Sequence, residues 1–202
     1  MQITPDLRLV LPVRRDENGA TLIHGYHSPI SREVFEANYR ILSAAQAALF
    51  GKGLVFAARS GPRIAALRLL DEGRRDAAER GEFDDDGKPR DGGAGALLAE
   101  LKRSTVVFVP GAQGWDQLPI DAAINARHID IEDWREAESA IAFFTSGYAM
   151  APRAGRQKMA EALAGVMGAS ITSSDAMAFG ASLPRLNQAA PGAAKAASSV
   201  PS

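Results

Sequence analysis

The sequence predicts a mainly α-helical α+β fold: an N-terminal β-hairpin, then a helical domain with one or two further short strands. Two observations carry that prediction. Near the N-terminus, two partly alternating apolar runs flank an Asn18-Gly19 dipeptide, the pattern of a hairpin and its turn. Beyond them, apolar residues recur chiefly at spacings of three and four, the period of helices that bury one face.

The hairpin runs from Leu7 to Val13, turns through Asp16-Glu17-Asn18-Gly19 and returns from Ala20 to Tyr26. Pro12 has no N–H to give a ladder, so it makes the first strand an edge or ends it early. A long helix follows, opened by Ser28-Pro29 or by Ser31 and stopped by Gly51. Glu33 and Glu36 sit where the helix dipole favours acid, and Val34, Phe35, Ile41, Leu42, Ala45, Ala48 and Leu49 line one face. Gly61-Pro62 opens a second helix carrying Ile64, Leu67, Leu69 and Leu70, which turns polar beyond Asp71.

Residues 81–95, rich in Gly and Asp, read as a flexible loop. Ala96 to Arg103 forms a short helix, and the β-branched Thr105-Val106-Val107-Phe108-Val109 a strand that Pro110-Gly111 ends. Leu118 to Ala126 gives another short helix. Asp130 or Asp133 caps a stronger one, with Trp134, Ala137, Ile141, Phe144 and Tyr148 on its apolar face. Pro152 suits the first turn of the next, whose Met159, Leu163, Val166 and Met167 precede Gly168. Ser173 or Ser174 caps a last helix, Asp175 to Ser182. The chain thus divides into residues 1–80 (hairpin plus helices), the loop 81–95, a helical part 96–186 of the same domain or of a second lobe, and an Ala-, Pro- and Ser-rich disordered tail, 187–202.

Composition narrows the function. A net charge of −1 provides no global basic field, so neither nucleic acid nor an anionic membrane is the expected partner. The longest apolar stretch, Ala140 to Ala151, is about half of the ~20 residues a membrane span needs. The N-terminus lacks the basic and apolar regions of a signal peptide, and the expectation is a soluble cytoplasmic protein. With no cysteine, disulfides, thiolate nucleophiles and cysteine-ligated metals are excluded.

Catalytic signals are sparse. His24 and His27 lie three apart on a strand, where side chains alternate, so they point to opposite faces instead of pairing on a metal. His128 falls in an interhelical turn. No phosphate-binding Gly-x-x-x-x-Gly-Lys and no Gly-x-Ser-x-Gly elbow occurs; Ser146 sits inside a helical pattern and reads as a packing residue. Lys88 and Arg90 intrude on the Asp84-Asp85-Asp86 run, unlike a calcium loop, and Arg153, Arg156 and Lys158 read as a solvated helix face. The expectation is a protein without cofactor or metal, not an enzyme, whose apolar stripes form its core or else a groove for a partner helix or a second copy.

Several stretches, in order and spacing, give a resemblance. They are Asp6-Leu7-Arg8-Leu9-Val10-Leu11-Pro12, Pro29-Ile30-Ser31-Arg32-Glu33-Val34-Phe35-Glu36, Gly61-Pro62-Arg63-Ile64-Ala65-Ala66-Leu67 and Gly114-Trp115-Asp116-Gln117-Leu118-Pro119. Ala140-Ile141-Ala142-Phe143-Phe144, Ile171-Thr172-Ser173-Ser174 and Phe179-Gly180-Ala181-Ser182-Leu183-Pro184 follow. Together they resemble the tail assembly chaperones of long-tailed bacteriophages and prophages. The resemblance implies a protein without catalytic residues that coats the helical tape measure protein in the host cytoplasm. Tail tube subunits polymerise meanwhile, and the chaperone then departs from the particle. Trp134, Phe143, Phe144 and Tyr148 are the candidate partner-binding side chains. The rival expectations are a virion structural protein of the neck or minor tail, and a small enzyme with a scattered site.

Overall fold

A computed structural model describes residues 1–111 and 114–184; the expected tail, 187–202, lies outside them. The fold is mainly helical α+β. Its strands are β1 (Gln2–Ile3), β2 (Leu9–Arg15), β3 (Thr21–His27), β4 (Thr105–Gly111), β5 (Gly114–Pro119) and β6 (Ser170–Ile171). Its helices are α1 (Arg32–Phe50), α2 (Leu54–Glu79), α3 (Ala94–Arg103), α4 (Ile120–Asn125), α5 (Ile131–Tyr148), α6 (Arg156–Met167) and α7 (Ala176–Ser182). A single 3-10 turn, Arg153–Gly155, leads into α6 after Pro152. The strands form one sheet in the order β5-β4-β3-β2-β1-β6, antiparallel except where β1 runs parallel to β6.

Local signals behave as the sequence predicts. The Asp16 carboxylate accepts from the amides of Asn18 (2.9 Å) and Ala20 (2.8 Å), and Gly19 takes the left-handed conformation that the hairpin turn requires. Ser31 caps α1, accepting from the Val34 amide. Asp130 and Asp133 cap α5 reciprocally, each side chain accepting from the other's amide. Gly168 ends α6 in the left-handed conformation. For α7 the cap is Asp175, one residue past the two serines expected, because its carboxylate reaches the Ala178 amide at 2.7 Å.

Four expectations are corrected. Gly61-Pro62 does not open α2, which begins eight residues before Pro62 at Leu54 and carries that proline inside it. Gly61 explains the tolerance. The Phe143 ring of α5 lies where a side chain on Gly61 would stand, so the two helices approach closely enough for packing to offset the lost hydrogen bond. Of the two alternatives at Pro12, the early end is corrected, since β2 runs on to Arg15, and the edge holds. Pro12 pairs with His24 and lies beyond the two residues that β1 covers, and the register shifts between Pro12 and Arg14.

Residues 81–95 form a closed loop and not an open linker. Asp84 accepts from the amides of Asp86 and Lys88, Arg90 N–H donates to the Glu82 carbonyl, and Asp91 accepts from the amides of Gly93 and Gly95 to start α3. Aspartates in such a run hold the backbone through their own carboxylates. Finally, Pro110-Gly111 closes β4 as expected, but β1, β5 and β6 bring the strands outside the hairpin to four among the described residues, where one or two were expected.

Successive side chains on a strand face opposite ways, and the sheet sorts its residues accordingly. Leu9, Leu11, Val13, Ile23, Val107 and Val109 join the main core with residues of α1 to α6, drawn from both sides of the 81–95 loop, so one core serves both halves. Val10, Tyr26 and Phe108 face away and form a second, smaller cluster with Phe179 of α7.

Candidate partner-binding surface

All four candidate side chains are core residues, so none of them presents its apolar face to a partner, and the alternative of a core stripe is the one this helix takes. Trp134 and Tyr148 are buried, and Phe143 and Phe144 are fully so. Trp134 Nε1 donates to Glu138 (3.2 Å), and the Tyr148 hydroxyl accepts from the Ile30 amide (3.1 Å). The Phe143 ring stacks on Phe50, and Phe144 meets Tyr148 edge-on, each pair with centroids 5.0 Å apart. The reason is the position of α5, which packs against α1, α2, α3, α6 and β2. The signal was present in the sequence: Ser139 to Tyr148 contains no charged residue, and a helix apolar all round is a buried one. Thr145 and Ser146 share this burial, so Ser146 offers solvent no nucleophile.

Among the described residues, the apolar layer with the thinner cover is on the second face of the sheet. Val10, Tyr26 and Phe108 are buried there, with Val106 and Trp115 half-buried beside them. Among the described residues α7 is the element that covers this face, and it buries one side chain, Phe179. The Phe179 ring stands edge-on to Phe108 and to His24, both at 5.3 Å. At Gly180 the α7 backbone comes so near the Phe108 ring that a Cβ would stand 2.7 Å from Cε1. Two polar contacts flank α7: the Tyr26 hydroxyl donates to the Ser174 carbonyl (3.3 Å) and Trp115 Nε1 donates to the Pro184 carbonyl (2.9 Å).

A cavity of about 480 Å³ lies against the C-terminal end of α7, walled by Leu22, Ile23, Pro110, Trp115, Leu183 and Pro184, with Arg14, Arg127 and His128 at its polar margin. A smaller one, about 170 Å³, adjoins Val10, Pro12, His24 and Phe179. A third, about 430 Å³, lies where Arg15, Arg59 and Arg63 meet Asp133 and Glu136, and its mixed charges select no one sign of ligand.

The histidines separate as the strand period predicts. His24 lies on the α7 side, its basicity lowered by burial first and then by the chain's amino terminus and Arg15. His27 points into the opposite layer and is fully buried, which pushes its pKa down to about 3. The Thr105 hydroxyl gives its proton to the Leu101 carbonyl (2.7 Å), so His27 Nδ1–H donates to that hydroxyl (3.0 Å). His27 Nε2 is left without a partner among the described residues. His128 sits in the turn after α4, where its amide donates to the Ala123 carbonyl and its carbonyl accepts from Arg14. Arg153, Arg156 and Lys158 are exposed where α6 begins. Among the described residues no three His, Asp or Glu side chains gather as a metal site would need, and no helix is long and apolar enough to cross a membrane.

Comparison of the chain with protein-family models, with curated proteins and with solved structures finds no match.

Proposed function

We propose that this chain is a non-catalytic tail assembly chaperone of a long-tailed phage, which binds the helical tape measure protein in the host cytoplasm. An extended helix with apolar stripes aggregates if left bare. A small protein that covers it turn by turn keeps it soluble while tail tube subunits polymerise around it. The observation that carries the proposal is the apolar cavity beside α7, with the Trp115 ring in its wall. A groove of this kind takes the apolar face of a helix, and tryptophan is among the side chains that contribute most to such contacts. Many modest contacts along one polymer add through multivalency, yet each can be displaced singly.

The test is co-expression with the tape measure protein of the same phage and co-purification at low and high salt. The complex should survive high salt, because apolar contact is screened little by ions. Virions analysed by mass spectrometry should lack the chain. No capture of the tape measure protein, together with stoichiometric presence in particles, would favour a neck or minor tail structural protein instead.

A further inference from the structure

We propose that the second face of the sheet is a helix-docking seat plugged by the chain's own α7, and that a partner helix with one aromatic anchor enters by displacing it. The inference rests on the chaperone reading only for the identity of that partner.

Four features support the seat. The first is the thinness of the plug: seven residues are too few to be helical alone in water, so α7 depends on its Asp175 cap and on Phe179. The second is fit. Phe179 enters between His24 and Phe108, and Gly180 brings the helix backbone onto the Phe108 ring. An aromatic residue followed by a small one is therefore what the seat accepts. The third is room. Among the described residues, cavities of about 480 and 170 Å³ adjoin α7, so a longer amphipathic helix in its place would bury apolar surface that those seven residues do not cover. The fourth is separation. Phe179 belongs to the smaller cluster, so α7 can leave without opening the main core on the other side of the sheet.

The probe is a fluorescein-labelled peptide with the sequence of residues 172–184, added to the full-length chain. Phe179→Ala in the chain loosens the internal plug but leaves the seat's walls intact. The peptide should bind this variant at least tenfold more tightly than the wild type, and a peptide carrying the same substitution should not. Met177→Ala, at a side chain exposed to 80%, should behave as wild type. A second measurement needs no variant: in the wild type, the amides of α7 should exchange with solvent far faster than those of α5. Equal peptide affinity for wild type and Phe179→Ala, or α7 amides protected as well as those of α5, would overturn the inference. Peptide uptake by the opened seat, with no capture of the tape measure protein by either form, would retain the plugged seat and remove the chaperone reading.

Discussion

The two faces of one sheet are finished very differently. On the inner face, Leu9, Leu11, Ile23 and Val107 lie under a layer built from α1 to α6, and side chains as large as Phe143 and Phe144 lose all contact with solvent. On the outer face, strands of the same hydrogen-bonded sheet present Tyr26, Phe108 and Trp115, among the described residues, to one short helix and to the cavities beside it. The contrast places most of the buried apolar side chains in the inner layer and leaves the outer one as the face on which the proposed docking depends. Regions that open at low cost are where binding segments are drawn from.

The largest expected effect lies in the inner layer. Phe144→Ala should cost ~3–5 kcal/mol in urea unfolding, as truncation of a buried phenylalanine does. A mutant as stable as the wild type would break the contrast.

His27, also on the inner side, gives the next. In the unfolded chain it titrates near 6.5, and in the folded chain near about 3. Above pH 6.5 both states are neutral and the full stability is present. As pH falls below 6.5 only the unfolded chain takes up the proton, so stability should drop by about 1.4 kcal/mol per pH unit until roughly pH 3. Over the first two units that amounts to ~2–3 kcal/mol. Denaturation curves from pH 7 to 4.5 would measure it, and His27→Leu should flatten this part of the dependence.

A smaller effect sharpens the comparison from the other side. Phe179→Ala should move the slowest-exchanging amides of α5 by less than about 1 kcal/mol, because α7 opens as a unit of its own. A loss comparable to that of Phe144→Ala would mean that both faces form one cooperative layer. Smallest of all, truncation at Asn187 should leave the melting temperature within about two degrees. The removed sequence has Val200 as its one large apolar side chain.

The sequence was legible where the physics is local. Ser31, Asp130, Gly168 and the Asn18-Gly19 turn each act within four residues, and each marks a true boundary or turn. Distant partners decided the rest. Gly61-Pro62 resembles a helix start until Phe143, 82 residues further along the chain, is seen against Gly61. β5 carries Asp116 and Gln117 in the middle of its six residues, too polar a run to mark a strand by itself, and its pairing with β4 supplies what its composition lacks. The candidate site failed for a related reason, since an apolar stripe does not name what covers it. Of the outer-face residues, Trp115 and Phe179 already stood in the stretches that carry the family resemblance, but nothing local set them apart from core aromatics.

The pairing of β1 with β6 bears on how the chain is born. Gln2 and Ile3 find their outer neighbours only at Ser170 and Ile171. At ordinary rates of translation, about 5–20 residues per second, that partner arrives roughly ten to thirty seconds after β1 has been made. Until then the outer edge of β1 stays unpaired on the ribosome. Two residues make a poor template for another nascent chain, so the brevity of β1 protects it through the wait.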